Sequence, residues 1–213
     1  MGWRGLHLRY SAMLGDGGWR TAIGGSDPIV HDGGIGWSNP ALGVEGRWTA
    51  LDESIEQTVF ESAEGRVHWR CLQPRSRVKL RVGGREVSGL GYAEHVVLTI
   101  APWDVPLRTL QWGRFVHESG YLVWIHWDDR KLCWSSDDDV TIADLHLAQT
   151  RTLRDGPLGS AALASAPGLR STLPARMLAV HETKRISRAR LIRGPHAGAE
   201  GWAIHEVVEW PRD

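Results

Sequence analysis

VHWRCLQPRSRVKLRVGGREVSGLGYAEHVVLTI, residues 67–100, alternates apolar and polar side chains in short runs punctuated by Pro74, Gly83-Gly84, Gly89 and Gly91. Such alternation sends successive side chains to opposite faces of a strand. Gly83-Gly84 between two such runs reads as a hairpin turn, because glycine enters the positive-φ region that tight hairpins require. The segment predicts antiparallel strands over 67–72, 78–82, 86–91 and 95–100.

The same texture extends outward from residue 43. Runs at 44–51, 55–62, 108–117, 121–127, 131–135, 144–153, 176–182, 186–192 and 202–210 are separated by Gly, Pro, Asp or Ser. Turn signals recur at roughly ten-residue intervals, the pattern of an all-β sandwich or barrel. Residues 1–42 are rich in glycine and predict loops with short strands near 7–14 and 19–23. The best helical candidate is LGSAALASA, residues 158–166, bracketed by Pro157 and Pro167 and long enough for a turn or two. We expect residues 1–213 to form a single β-domain, an antiparallel barrel or a strongly curved sandwich with at most one short helix.

Composition narrows the function. The chain has 213 residues, with Lys plus Arg and Asp plus Glu both at 25, so its net charge is zero. Nucleic-acid binding and docking on anionic membranes need a basic excess, which is missing here. No run is apolar for long enough to span a bilayer, which argues against stable membrane insertion. The N-terminus lacks the basic, apolar and small-residue order of a signal peptide, and two cysteines, Cys71 and Cys133, demand no disulfide. These features lead us to expect a cytoplasmic protein. Twelve tryptophans against two phenylalanines suit a core or cavity built from large flat side chains.

The strand faces carry charges where apolar residues are expected. One row reads Tyr92, Glu94, Val96, Leu98, Ile100; a second reads Leu110, Trp112, Arg114, Val116; a third reads Trp202, Ile204, Glu206, Val208, Trp210. In 121–128 one face reads Leu122, Trp124, His126, Asp128. Glu94 lies ten residues before Asp104 and Arg114 ten after it, so a hairpin centred on Asp104 would set the two opposite each other. A buried Glu–Arg pair satisfies both groups structurally, and that alone accounts for it. Glu206 adds a second acid that competes for Arg114 or needs a donor of its own, such as His126. The carboxyl that loses this competition should have a raised pKa and be able to donate a proton. Candidate catalytic residues are therefore Glu94, Glu206 and Arg114, with Tyr92, Trp112, Trp124, His126 and Trp202 as candidate ligand-binding residues.

Residues 67–95 also resemble the lipocalin-like, or calycin, superfamily of carotenoid 1,2-hydratases and AttH-like proteins, and distantly tocopherol cyclase. The resemblance rests on a Trp-bearing strand, a Pro turn, the Val-x-Leu-x-Val run, a Gly turn and then Gly-x-Gly-aromatic-x-acid-His. Tyr92, Glu94 and His95 fall on the aromatic, acid and histidine places. Glu94 stands where the family usually has Asp, and Val96-Val97 follow where it usually has Trp-Gly. The resemblance implies a lipocalin-like β-barrel enclosing an apolar or isoprenoid-like molecule. It further implies protonation of a carbon–carbon double bond by a cavity acid, leading to hydration or cyclisation. A non-catalytic carrier or sensor, or an interaction module whose solid core holds a structural Glu–Arg cluster, fits the same residues.

Other signals point to solvated structure. His126 and Asp128 share a face, but three or four convergent metal ligands cannot be assembled, so no metal is expected. Phosphate-loop, dinucleotide and nucleophile-elbow motifs are missing, and no cofactor is implied. TKRISRARLIRG, residues 183–194, puts Arg188 and Arg190 on one strand face, read first as charge protecting an edge strand and alternatively as a docking patch for an acidic partner or phosphate. Asp137-Asp138-Asp139 reads as a solvated turn.

Overall fold

A computed structural model describes residues 10–15, 18–158, 160 and 175–211. The molecule is all-β and antiparallel. Its strands are β1 (Tyr10–Gly15), β2 (Gly18–Ile23), β3 (Ile29–His31), β4 (Gly34–Asn39), β5 (Val44–Ala50), β6 (Ile55–Ser62) and β7 (Gly65–Val82). They continue as β8 (Arg85–Leu98), β9 (Thr109–His117), β10 (Gly120–Trp127), β11 (Arg130–Ser135), β12 (Leu145–Pro157), β13 (His181–Leu191) and β14 (Glu200–Glu209). One five-residue helix, α1 (Ala175–Ala179), precedes β13.

β1 and β2 form a separate hairpin. The remaining strands make two six-stranded sheets. In the first, β3, β4 and β5 lead to the long β7, which also pairs with β6 and β8. The second runs β11-β10-β9-β14-β13-β12. The sheets do not close into a barrel, so of the two expected architectures the molecule takes the sandwich.

β7 and β8 are each one strand where the sequence predicts two. Pro74 falls within the second of two register shifts, Cys71/Gln73 and Gln73/Ser76, so its missing N–H lies in an irregular step of the ladder. The Gly83-Gly84 turn has positive φ at both residues, as the hairpin reading requires. β3 and β4 occupy IVHDGGIGWSN, residues 29–39, where the glycines predict loops. Residues 176–182 were expected to be a strand; residues 175–179 instead form α1, and β13 begins at His181. The candidate helix 158–166 lies outside the described residues except for Leu158 and Ser160.

Two cores follow from the two faces of the second sheet. Between the sheets, Val59, Trp69 and Cys71 pack against Val123, Ile125 and Trp127. On the opposite face of the second sheet, Phe115, Leu122, Trp124, Ala189, Leu191 and Ala203 pack beneath Val140. Burying side chains of this size stabilises by about 1.5–3 kcal/mol each, so both faces contribute to the fold. Gly113 permits the second core: an added Cβ there would strike the Trp124 ring, which lies across it. Asp137 departs from the solvated-turn reading. It is buried, accepts from the His196 backbone N–H at 3.3 Å and pairs with the His196 ring, tying the 192–199 loop to the β11–β12 connection.

Candidate functional site

Glu94 and Arg114 do meet, but not across a hairpin. Residues 99–108, with a 3-10 turn at Pro102–Asp104, carry the chain from one sheet to the other. β8 and β9 therefore never pair: Glu94 lies beside Cys71, and Arg114 between Val123 and Ile204. The two side chains reach each other through the space between the sheets, Arg114 Nη1 to Glu94 Oε1 at 3.8 Å. That distance gives an ion pair but is too long for a hydrogen bond. Glu94 accepts its hydrogen bond from Trp69 Nε1 at 2.9 Å.

Arg114 is 5% exposed. Its guanidinium lies against the Tyr92 ring and 4.8 Å from the Trp112 ring centroid, an aromatic bracket that suits a weakly hydrated cation. Burial pulls the Arg114 pKa down, and burial pushes the Tyr92 phenol up to about 12. Cys71, against the same cluster, is likewise pushed up to about 12 by burial, an unreactive thiol. Cys71 and Cys133 are both free.

Arg114 and Tyr92 form the floor of a cleft of about 930 Å³ between the sheets. Trp48, Val78 and Leu80 line one wall, and Val116, Trp202 and Ile204 the other. Gly91 shapes the first wall, since a Cβ there would sit 2.5 Å from Val78 Cγ2 and 3.0 Å from Trp48 Nε1. Trp202 is 50% exposed and lies beneath Arg188, whose guanidinium carbon is 5.2 Å from the ring centroid. At one end Arg77 grips Glu118 with two hydrogen bonds of 3.2 and 2.9 Å, tying β7 to the β9–β10 turn. Arg75 reinforces that tie by donating to the Glu118 carbonyl while paired with Asp52 at 2.8 Å.

Glu206 is paired elsewhere, although its charge still acts on Arg114 and Tyr92. Lys184 Nζ lies 2.7 Å from its Oε2, so its ion-pair partner is Lys184, not Arg114 or His126. Next to it, Glu182 is 3% exposed and paired with Arg154 Nη1 at 3.0 Å. Burial, and then the charge of Glu206, push the Glu182 carboxyl up to about 7. Sequence reasoning anticipated a raised acid but missed Glu182, because 176–182 read as a separate strand. The available signal was the alternation Glu182, Lys184, Ile186 along one face of β13.

The other candidates divide by face. Tyr92 and Trp202 line the cleft, while Trp112 lies behind it as a plate between Arg114 and Lys184, whose ammonium is 5.8 Å from its centroid. Trp124 and His126 do not reach it. Gly113 pairs with Trp124 and Arg114 with Val123, so the Trp124 face of β10 is the one turned away from Arg114. Trp124 is buried in the second core, and burial followed by Lys131 pulls the His126 pKa down. His95 is exposed, opposite Arg70. Among the described residues no group of three His, Cys, Asp or Glu could hold a metal ion, and no helix is long and apolar enough to cross a membrane.

No family model matches the chain, and no curated protein does so. Among solved structures, the chain is similar to a protein of Nitrosomonas europaea described provisionally as AttH. The two are 11% identical over 95% of this chain and 68% of the other, with a TM-score of 0.38.

Proposed function

We propose that the cleft between the sheets binds a small, mainly apolar molecule. The observation that carries this reading is the cleft itself: about 930 Å³, walled by Trp48, Val78, Leu80, Val116, Trp202 and Ile204, with a buried guanidinium at its floor. Ligand sites are typically concavities of about 300–1,000 Å³ with apolar walls and a few placed polar groups. A solid-cored interaction module would have no use for such a space.

The arrangement favours binding over proton transfer. The carboxylates on the cleft walls are Glu118 and Glu200. The Arg77 hydrogen bonds hold Glu118 below the usual carboxylate range, the wrong direction for an acid catalyst at neutral pH. Glu182, the acid with a raised pKa, belongs with Glu206 and Lys184 and not with the cleft lining. A carrier or sensor of an apolar molecule is therefore the function we put forward.

A neutral apolar dye, Nile red, tests it by fluorescence titration. We expect saturable, blue-shifted emission, and binding at least tenfold weaker in Trp202→Ala, whose half-exposed indole can be removed without opening a core. Equal binding by the wild type and by both Trp202→Ala and Leu80→Gln would overturn the assignment.

A further inference from the structure

The basic run at 183–194 finds no explanation as edge protection. β13 lies between β12 and β14, paired through Arg190↔His146 on one side and Arg188↔Trp202 on the other. An internal strand has no free edge for charge to guard. Arg188 and Arg190 instead line the cleft from the inner part of the sheet.

Their surroundings differ from those of the other charges on that strand. Lys184 and Glu182 each have a partner within 3.0 Å. Arg188 forms no ion pair with a described residue, and its guanidinium rests on the Trp202 ring. Arg190 stands opposite Glu200 in register without an ion pair between them, and His146 flanks it on β12. Of the two carboxylates on the cleft walls Glu118 is taken by Arg77, so Arg188 and Arg190 present two fork-shaped donors against Glu200 alone. Planar guanidinium groups match the two oxygens of a carboxylate.

We propose that the molecule held in the cleft is an anionic amphiphile, an acyl chain whose carboxylate sits on Arg188 and Arg190 while the chain runs over Trp202 toward Val116 and Leu80. This rests on the cleft reading above and adds the chemical class of the ligand. Arg114 is not the carboxylate's partner in this arrangement, because Glu94 already neutralises it.

Isothermal titration of the full chain with decanoate and decan-1-ol separates the two claims. The expected result is decanoate binding at least about tenfold tighter than the alcohol, the scale of one charge-assisted contact. In Arg188→Gln/Arg190→Gln, both positions being exposed, decanoate should fall to the affinity of the alcohol, which itself stays unchanged. Equal affinities in the wild type would overturn the carboxylate assignment while leaving an apolar site in the cleft. A preference for decanoate that survives the double substitution would also overturn it. Failure of both ligands to bind would remove the cleft reading along with it.

Discussion

The inward face of β13 carries charge at both ends, and the two ends are handled in opposite ways. At the first, Glu182 and Lys184 are engaged by Arg154 and Glu206, and both acids are sealed from solvent. At the second, Arg188 and Arg190 stand over an open cleft with an indole beneath one of them. Two like charges in a sealed region are tolerated only where opposite charges hold them. Cations that no described residue pairs, beside an apolar cavity, are placed to meet something from outside. One strand thus holds an internal ion cluster and the edge of a binding site within eleven residues.

Breaking the sealed end should cost the most. Lys184→Met leaves Glu206 and Glu182 facing each other without their ammonium, and should lower stability by about 3–5 kcal/mol in urea denaturation. The same substitution at the open end, Arg188→Met, should change stability by no more than about 0.5 kcal/mol. Equal losses at the two positions would erase the distinction between the ends.

The pH dependence sharpens the contrast. Glu182 titrates near 4.5 when unfolded and at about 7 when folded. Between those values the folded chain holds a proton that the unfolded chain has released, so stability falls as pH rises from 4.5 to 7 and then levels off. The fall is on the order of 3 kcal/mol. Glu182→Gln cannot ionise and should lose this fall over that window, leaving only the opposite trend from histidines whose pKa burial lowers; an unchanged slope would place the titration elsewhere.

A smaller effect is expected on the cleft wall. Gly91→Val would drive a side chain into Val78 and Trp48, at a cost of about 1–3 kcal/mol in stability and with a narrowed cleft that binds Nile red more weakly. Full binding with unaltered stability would show that the wall yields there.

Much of this was legible in the sequence. Period-two alternation and turn glycines located most of the strands, and the charged rows pointed to buried ionisable groups. Tyr92 and Trp202, singled out as ligand-binding candidates, and Arg114, as a catalytic one, all line the cleft, and each was noticed because it shares a face with apolar neighbours. What alternation cannot supply is which faces look toward each other. Glu94 and Arg114 were correctly paired through the wrong geometry, since nothing local reveals that residues 99–108 cross between sheets. Trp124 and His126 were read as lining because the two faces of β10 are equally apolar; they share the face turned away from Arg114, where Trp124 is buried in the second core and His126 is half-buried. The edge-protection reading of the arginines failed for a related reason: whether β13 is an edge or an interior strand depends on β12, which is distant in sequence.

Twelve indoles allow a direct test of where a ligand sits, because each gives its own N–H resonance in an 15N-correlated spectrum and single Trp→Phe substitutions assign them. On titration with decanoate, the Trp48 and Trp202 signals should move together and saturate, while Trp124, in the core on the far side of the second sheet, stays in place. Shifts at Trp124 with Trp48 and Trp202 unmoved would contradict a binding site between the sheets.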